Sequence, residues 1–206
     1  LATDVAYLLL GHGRVLRCTL APLICETARG ADPGATTVAA AAAGTLLLGC
    51  ADGGIAAGQE ACGGRDGHDG NPITQLAVSG SAVLKVQDHL ACVGSRERLA
   101  ECTPLPTEGR TIAAGSVSPD GSVAAVAIHT ADGSRIDIYQ RVASWLPWRG
   151  AAYQRRSEIP DPGAIFALEF SNDGSWILAA AAWETDVVIR CFAVTSEAMH
   201  RTCAGQ

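Results

Sequence analysis

The chain has 206 residues, a net charge of −6, and 48% apolar residues. That is enough apolar matter for one large all-β domain or two small ones, and it excludes wholesale disorder. Positive charge is carried by arginine except at Lys85, and the acidic balance supplies no basic field for nucleic acid or anionic lipid.

The first segment, residues 1–30, reads as an apolar strand over 5–10, a Gly11-His12-Gly13 turn, a strand over 14–19 and a short strand ending at Cys25-Glu26-Thr27. Residues 30–36 are turn chemistry. Residues 36–66 repeat the theme: strands over 37–43 and 45–50 about Gly44, then 55–57, with Glu60-Ala61-Cys62 closing the unit. The apolar run over 35–49 is too short to span a bilayer, so no membrane insertion is expected. A short Ala-rich helix is the alternative to its two strands. The third unit, 73–106, places strands over 74–78, 82–86, 89–93 and 98–102. The fourth, 111–157, and the fifth, 164–206, are the clearest.

Both are built on one phrase. Val117-Ser118-Pro119-Asp120-Gly121-Ser122-Val123 is echoed by Phe170-Ser171-Asn172-Asp173-Gly174-Ser175-Trp176. Each joins two apolar strands through a tight turn, and a third strand follows, over 135–139 or 186–192. The turn glycines Gly44, Gly80, Gly121 and Gly174 recur at intervals of about 36, 41 and 53 residues, the range of repeat architectures. The long last interval holds an insert, 143–162, with Trp145, Trp148, Arg149 and Tyr153.

Eight cysteines fall in four local pairs: Cys18 and Cys25, Cys50 and Cys62, Cys92 and Cys102, Cys191 and Cys203. In the first, third and fourth of these pairs a strand bearing one Cys is followed by a short connection and a second Cys. Facing residues of an antiparallel pair have Cα atoms about 4.5–5.5 Å apart, within disulfide reach. Buried thiols are the alternative, and the Cys-x2–4-Cys spacing of zinc sites is missing. Disulfides imply an oxidising compartment: extracellular, or at a cell surface. The chain starts at Leu1 without the basic and apolar regions of a signal peptide. A processed chain or a segment of a longer polypeptide is therefore expected.

The Ser-x-Asp-Gly turns resemble the turn between the first two strands of WD40-like and TolB-like β-propeller blades. Tyr139 and Phe192 then fall where WD40 blades place the tryptophan of their Trp-Asp pair, although Gln140 stands where Asp is usual. The resemblance is good over 111–206 and faint over 1–106. It implies an all-β, propeller-like fold of about five antiparallel blade units in a single domain, 1–206. The first unit lacks a strand, so the ring is expected to be incomplete or completed by another chain, with self-association by strand completion.

Two candidate sites stand out. The Trp145, Trp148, Arg149 and Tyr153 insert has the aromatic and guanidinium groups of a glycan-binding or protein-binding surface. The loop bearing Asp66, Asp69 and Asn71 concentrates oxygen ligands, although its spacing matches no EF-hand. The five histidines are scattered, and no Gly-x-Ser-x-Gly elbow or Cys-His arrangement is present. No cofactor is expected. The sequence reads as a non-catalytic extracellular interaction or structural module with protein partners. The alternatives are a lectin-like or small-ligand-binding propeller and a secreted hydrolase or lyase.

Overall fold

The computed structural model describes residues 5–20, 22–40, 45–63, 70–143 and 152–194. Among them are seventeen strands in five antiparallel sheets, one 3-10 turn at Gly11–Gly13 and no α-helix. No helix among them is long and apolar enough to cross a membrane. Every sheet is a meander, with strands paired in chain order. The chain divides into two compact units, Leu1–Leu76 and Ala77–Gln206.

In the first unit, β1 (Val5–Leu9), β2 (Val15–Leu20) and β3 (Leu23–Arg29) form one sheet. The other holds β4 (Ala35–Ala40), β5 (Leu46–Cys50) and β6 (Ile55–Ala57). All of β5 is buried, and Leu46, Leu48 and Cys50 pack with Val15, Tyr7, Leu9 and Val38. The Ala-rich run is strand, not helix, over its described part. Thr36, Thr37 and Val38 are β-branched and suit a pleated surface. The Thr36 hydroxyl donates to the Gly49 carbonyl at 2.9 Å and the Ile73 carbonyl at 2.5 Å.

The segment 60–62 that closes the second repeat unit is loop. Arg29 holds it, donating to the carbonyls of Gly58, at 2.6 Å, and Glu60. Arg29 also pairs with buried Asp32 at 3.1 Å, and the other donors to Asp32 are the amides of Gly34 and Cys62. The segment 30–36 is therefore more than a turn: it anchors a buried ion pair that positions Cys62.

The second unit holds three sheets. The four strands β7 (Gln75–Ser79), β8 (Ala82–Gln87), β9 (Leu90–Ser95) and β10 (Arg98–Pro104) make one, with β7 crossing the junction. Another contains β11 (Ile112–Val117), β12 (Val123–Thr130), β13 (Gly133–Val142) and β14 (Ala152–Asp161). The last contains β15 (Ala164–Phe170), β16 (Trp176–Trp183) and β17 (Asp186–Ala193). The second half of the insert 143–162 is a full strand. In β14, Tyr153, Ile159 and Asp161 are buried while Gln154, Arg155 and Glu158 are exposed, an alternation that its charged residues disguise. The fourth repeat unit accordingly runs to Asp161, beyond residue 157.

Within the second unit, successive sheets pack face to face. Leu84, Val86 and Val93 meet Ala124, Val126, Ile128 and Tyr139 in one core. Ala125, Ala127, Ile136 and Ile138 meet Ile165, Leu168, Phe170 and Ile177 in the next. Trp176 is half-buried. Trp183, at the end of β16, is 36% exposed and stacks on Arg190, whose guanidinium lies 5.3 Å from the ring centre. Arg190 bonds buried Asp161, so the tryptophan covers an ion pair instead of filling a core.

Candidate functional site

The Ser-x-Asp-Gly turns are closed by a single carboxylate oxygen. Asp120 Oδ1 accepts from Ser118 Oγ at 2.7 Å, Ser122 N at 2.9 Å and Ser122 Oγ at 2.8 Å. Ser118 Oγ in turn accepts from the Val123 amide at 2.9 Å. Asp173 repeats the set with Ser171 and Ser175 at 2.6, 3.0 and 2.7 Å. Gly121 and Gly174 have φ of 68° and 72°, a left-handed conformation that glycine adopts without strain. The hydrogen bonds from Ser118 and the Ser122 amide lower the Asp120 pKa, and the equivalent bonds hold Asp173 at about 2. These carboxylates are structural anions whose acceptor capacity is largely taken by their own turn.

Beside the Asp120 turn lies a cleft of about 460 Å³. Its wall is the β9–β10 hairpin, where the pairing register shifts between Arg98 and Cys102. The Cys92–Cys102 disulfide closes that irregularity, with a Cα separation of 5.5 Å. Gly94, opposite Cys102, makes room: a Cβ there would lie 2.7 Å from the Glu101 carbonyl oxygen. The bulge throws Arg98 and Glu101 outward, paired at 3.4 Å with their side chains 71% and 72% exposed. From the neighbouring sheet, Asp120 and Arg141 complete a lining of alternating charge.

Tyr153 also contributes to this lining, but as part of its floor. The residue is 7% exposed, and its hydroxyl donates to the Gly121 carbonyl at 2.5 Å. Burial raises its pKa, so the phenol stays a neutral donor. Tyr153 is thus committed to the core and the turn, which removes it from the exposed aromatic surface expected of the insert. The other members, Trp145, Trp148 and Arg149, lie outside the described residues, as do Asp66 and Asp69 of the candidate cation loop. Asn71 is exposed.

Three disulfides join the cysteines that the strand order had paired. Cys18 and Cys25 are direct partners on β2 and β3. Cys50 links to Cys62 across the loop set by Asp32, with a Cα separation of 5.5 Å, and Cys92 links to Cys102. Cys191 is half-buried on β17; its expected partner Cys203 lies outside the described residues.

Polar groups that sequence reasoning passed over are buried ones. Asp137 is held by Arg135 at 2.6 and 2.9 Å and lies 3.5 Å from Arg155. The Tyr139 hydroxyl donates to the Pro106 carbonyl at 3.2 Å; burial, with Asp137 beside it, pushes its pKa up to about 12. The alternation Arg135-Ile136-Asp137-Ile138-Tyr139 marks the strand, but not the pairing of Asp137 with Arg155, eighteen residues away in sequence. The exposed His89 touches Asp88 at 2.8 Å and Thr111 at 3.4 Å, a contact between turns.

No protein-family model and no curated protein matches the chain. Solved structures do. The β-propeller domain of Myceliophteria thermophila Cps50 (Swd1) superposes with a TM-score of 0.62 at 16% identity, over 94% of this chain and 63% of that one. A chain of the Mitotic Checkpoint Complex gives 0.57 at 12% identity, over 94% and 74%, and the C-terminal WD40 domain of Sif2 gives 0.55 at 17%, over 93% and 55%. The chain has the β-propeller fold, and one of these structural neighbours is a WD40 domain. The chain spans less than two thirds of the Cps50 domain.

Proposed function

We propose that the chain is a non-catalytic, propeller-like interaction module that binds a protein partner at the charged cleft between the β9–β10 hairpin and the Asp120 turn. The carrying observation is the cleft itself: a rigid, disulfide-closed wall presenting Arg98 and Glu101 opposite Asp120 and Arg141. Mixed charge around a polar hollow suits an extended segment carrying both signs and free backbone donors and acceptors. A structural neighbour that sits in a named complex supports the same class of function. The disulfides support work in an oxidising compartment, extracellular or at a cell surface, as part of a larger assembly. Of the glycan-binding alternative, only Trp145, Trp148 and Arg149 remain as candidate contacts.

Photo-cross-linking tests this reading. A photo-reactive side chain replaces Glu97 at the rim of the cleft, with and without Arg98→Glu and Arg141→Glu. A protein joined to the parent chain and lost from the charge-reversed chain is the expected result. Equal labelling of both overturns the cleft as the binding site.

A further inference from the structure

The last two sheets are copies of one design, and the copies differ in what covers them. Ser118, Asp120 and Gly121 correspond to Ser171, Asp173 and Gly174 at a constant offset, and the pairing registers follow. Ala125 faces Ile138 and Ala127 faces Ile136. At the same positions of the last sheet, Leu178 faces Cys191 and Ala180 faces Ile189. The first set is at most 2% exposed, sealed by Ile165, Leu168, Phe170 and Ile177 of the following sheet. In the second set Leu178 is 38% exposed and Ile189 is 65% exposed, with Val187 beside them at 66%. Among the described residues, the last sheet therefore displays the apolar face of a blade-to-blade joint with nothing packed on it.

The repeat also says what the cover is: the opposite face of a sheet of the same kind. In the first sheet, Tyr7, Leu9 and Val15 pack on the sheet that follows, as Ala125 and Ile136 do in theirs. Strand alternation leaves Ala6, Leu8 and Leu16 on the opposite face. Leu8 is 47% exposed, with Ala6 and Leu16 half-buried. The β1–β3 sheet thus carries the outer half of a blade-to-blade joint, and the β15–β17 sheet carries the inner half.

We infer that a second copy of this chain is the occupant: the β1–β3 face of one copy docks on the β15–β17 face of the next. Such an interface is head-to-tail, and it builds rings or filaments instead of a two-fold dimer. Contiguous exposed apolar surface of this kind is characteristic of an interaction site. The inference rests on reading the chain as an interaction module, but its joint is separate from the cleft.

Light scattering after size exclusion, on the full chain across a wide concentration range, tests it. The parent chain is expected to show concentration-dependent association. Ile189→Glu and Leu8→Glu, both at exposed positions, are each expected to abolish it while circular dichroism stays that of the parent. Mixing the two variants supplies one intact joint, so the mixture is expected to form dimers that grow no further. A parent chain that stays monomeric overturns the inference, as does a mixture that stays monomeric or an Ile189→Glu variant that associates like the parent. Each of those results leaves the cross-link from the cleft unaffected, so failure of the joint and failure of the cleft are distinguishable.

Discussion

The sheets β7–β10 and β11–β14 are adjacent in the chain, equal in strand number and identical in connectivity, yet they are secured by different chemistry. The first carries the Cys92–Cys102 disulfide across its outer hairpin, and the turn between its first two strands is a plain Ser79-Gly80-Ser81. The second has no cysteine. It has the carboxylate-closed Ser118–Ser122 turn and the buried Asp137 held by Arg135 and Arg155. The same meander is therefore held covalently in one place and electrostatically in the next. The difference teaches that the two sheets should fail under different insults: reduction for one, charge loss for the other.

The sharpest way to break the electrostatic side is Asp137→Ala. The Asp137 side chain is 2% exposed and Arg135 only 17%, so removal strands a cation in a poorly solvated place. Breaking such a pair typically costs about 3–5 kcal/mol. The low end, about 3 kcal/mol, is expected because Glu158 stays 3.6 Å from Arg135. The urea-unfolding midpoint of the chain measures it, and the loss should be the same with or without a reductant.

The covalent side is broken by Cys92→Ser with Cys102→Ser. The bridge closes a sequence separation of 10 residues. In the chain-entropy model a loop of that size contributes roughly 2.5–3 kcal/mol, slightly less than the buried pair. Gly94 should become more tolerant at the same time. With the bridge gone, the hairpin is free to move away from the 2.7 Å clash that a Cβ at Gly94 makes with the Glu101 carbonyl. The expected outcome is that Gly94→Ala costs less in the serine variant than in the parent. A cost unchanged between the two backgrounds would show that the bulge, not the disulfide, fixes the close approach.

This comparison also marks how far the sequence was legible. The turn at Ser118–Ser122 and its echo could be read directly, because Ser, Asp and Gly at those spacings have a local mechanism that needs no distant partner. The cysteine pairs were readable for the same reason: each partner is close in sequence. The strand β14 was hidden because its exposed face carries Arg155, Arg156 and Glu158, which resemble a loop until Tyr153, Ile159 and Asp161 are seen to alternate with them. The burial of the Arg29–Asp32 pair, the contact of buried Asp137 with Arg155 and the cleft were not legible at all. The first depends on the loop at Gly58 that caps Arg29, the second on the pairing of β13 with the disguised strand β14, and the third on which sheet faces which; hydrophobic periodicity specifies none of these. Tyr153 is instructive: an aromatic in a polar stretch suggested an exposed group, whereas it is 7% exposed and its hydroxyl has a buried carbonyl to serve.

The smallest expected effect gives the cleanest separation of the two chemistries. Hydrogen bonds lower the pKa of Asp120 and hold Asp173 at about 2, against the usual value of 3.8. A carboxyl depressed in the folded state stabilises the fold above its unfolded pKa, and that contribution is lost as pH falls through the folded pKa. The turns should therefore be fully effective above about pH 4 and weaken progressively toward about pH 2. Asp120→Asn with Asp173→Asn retains an acceptor oxygen but removes the charge. Melting temperature measured against pH should then fall less steeply over that window than in the parent. The Cys92→Ser, Cys102→Ser variant, by contrast, should keep the parental slope at a lower melting temperature throughout. A slope flattened equally in the serine variant would mean that the two sheets unfold as one electrostatic unit, and the contrast between staple and turn would not hold.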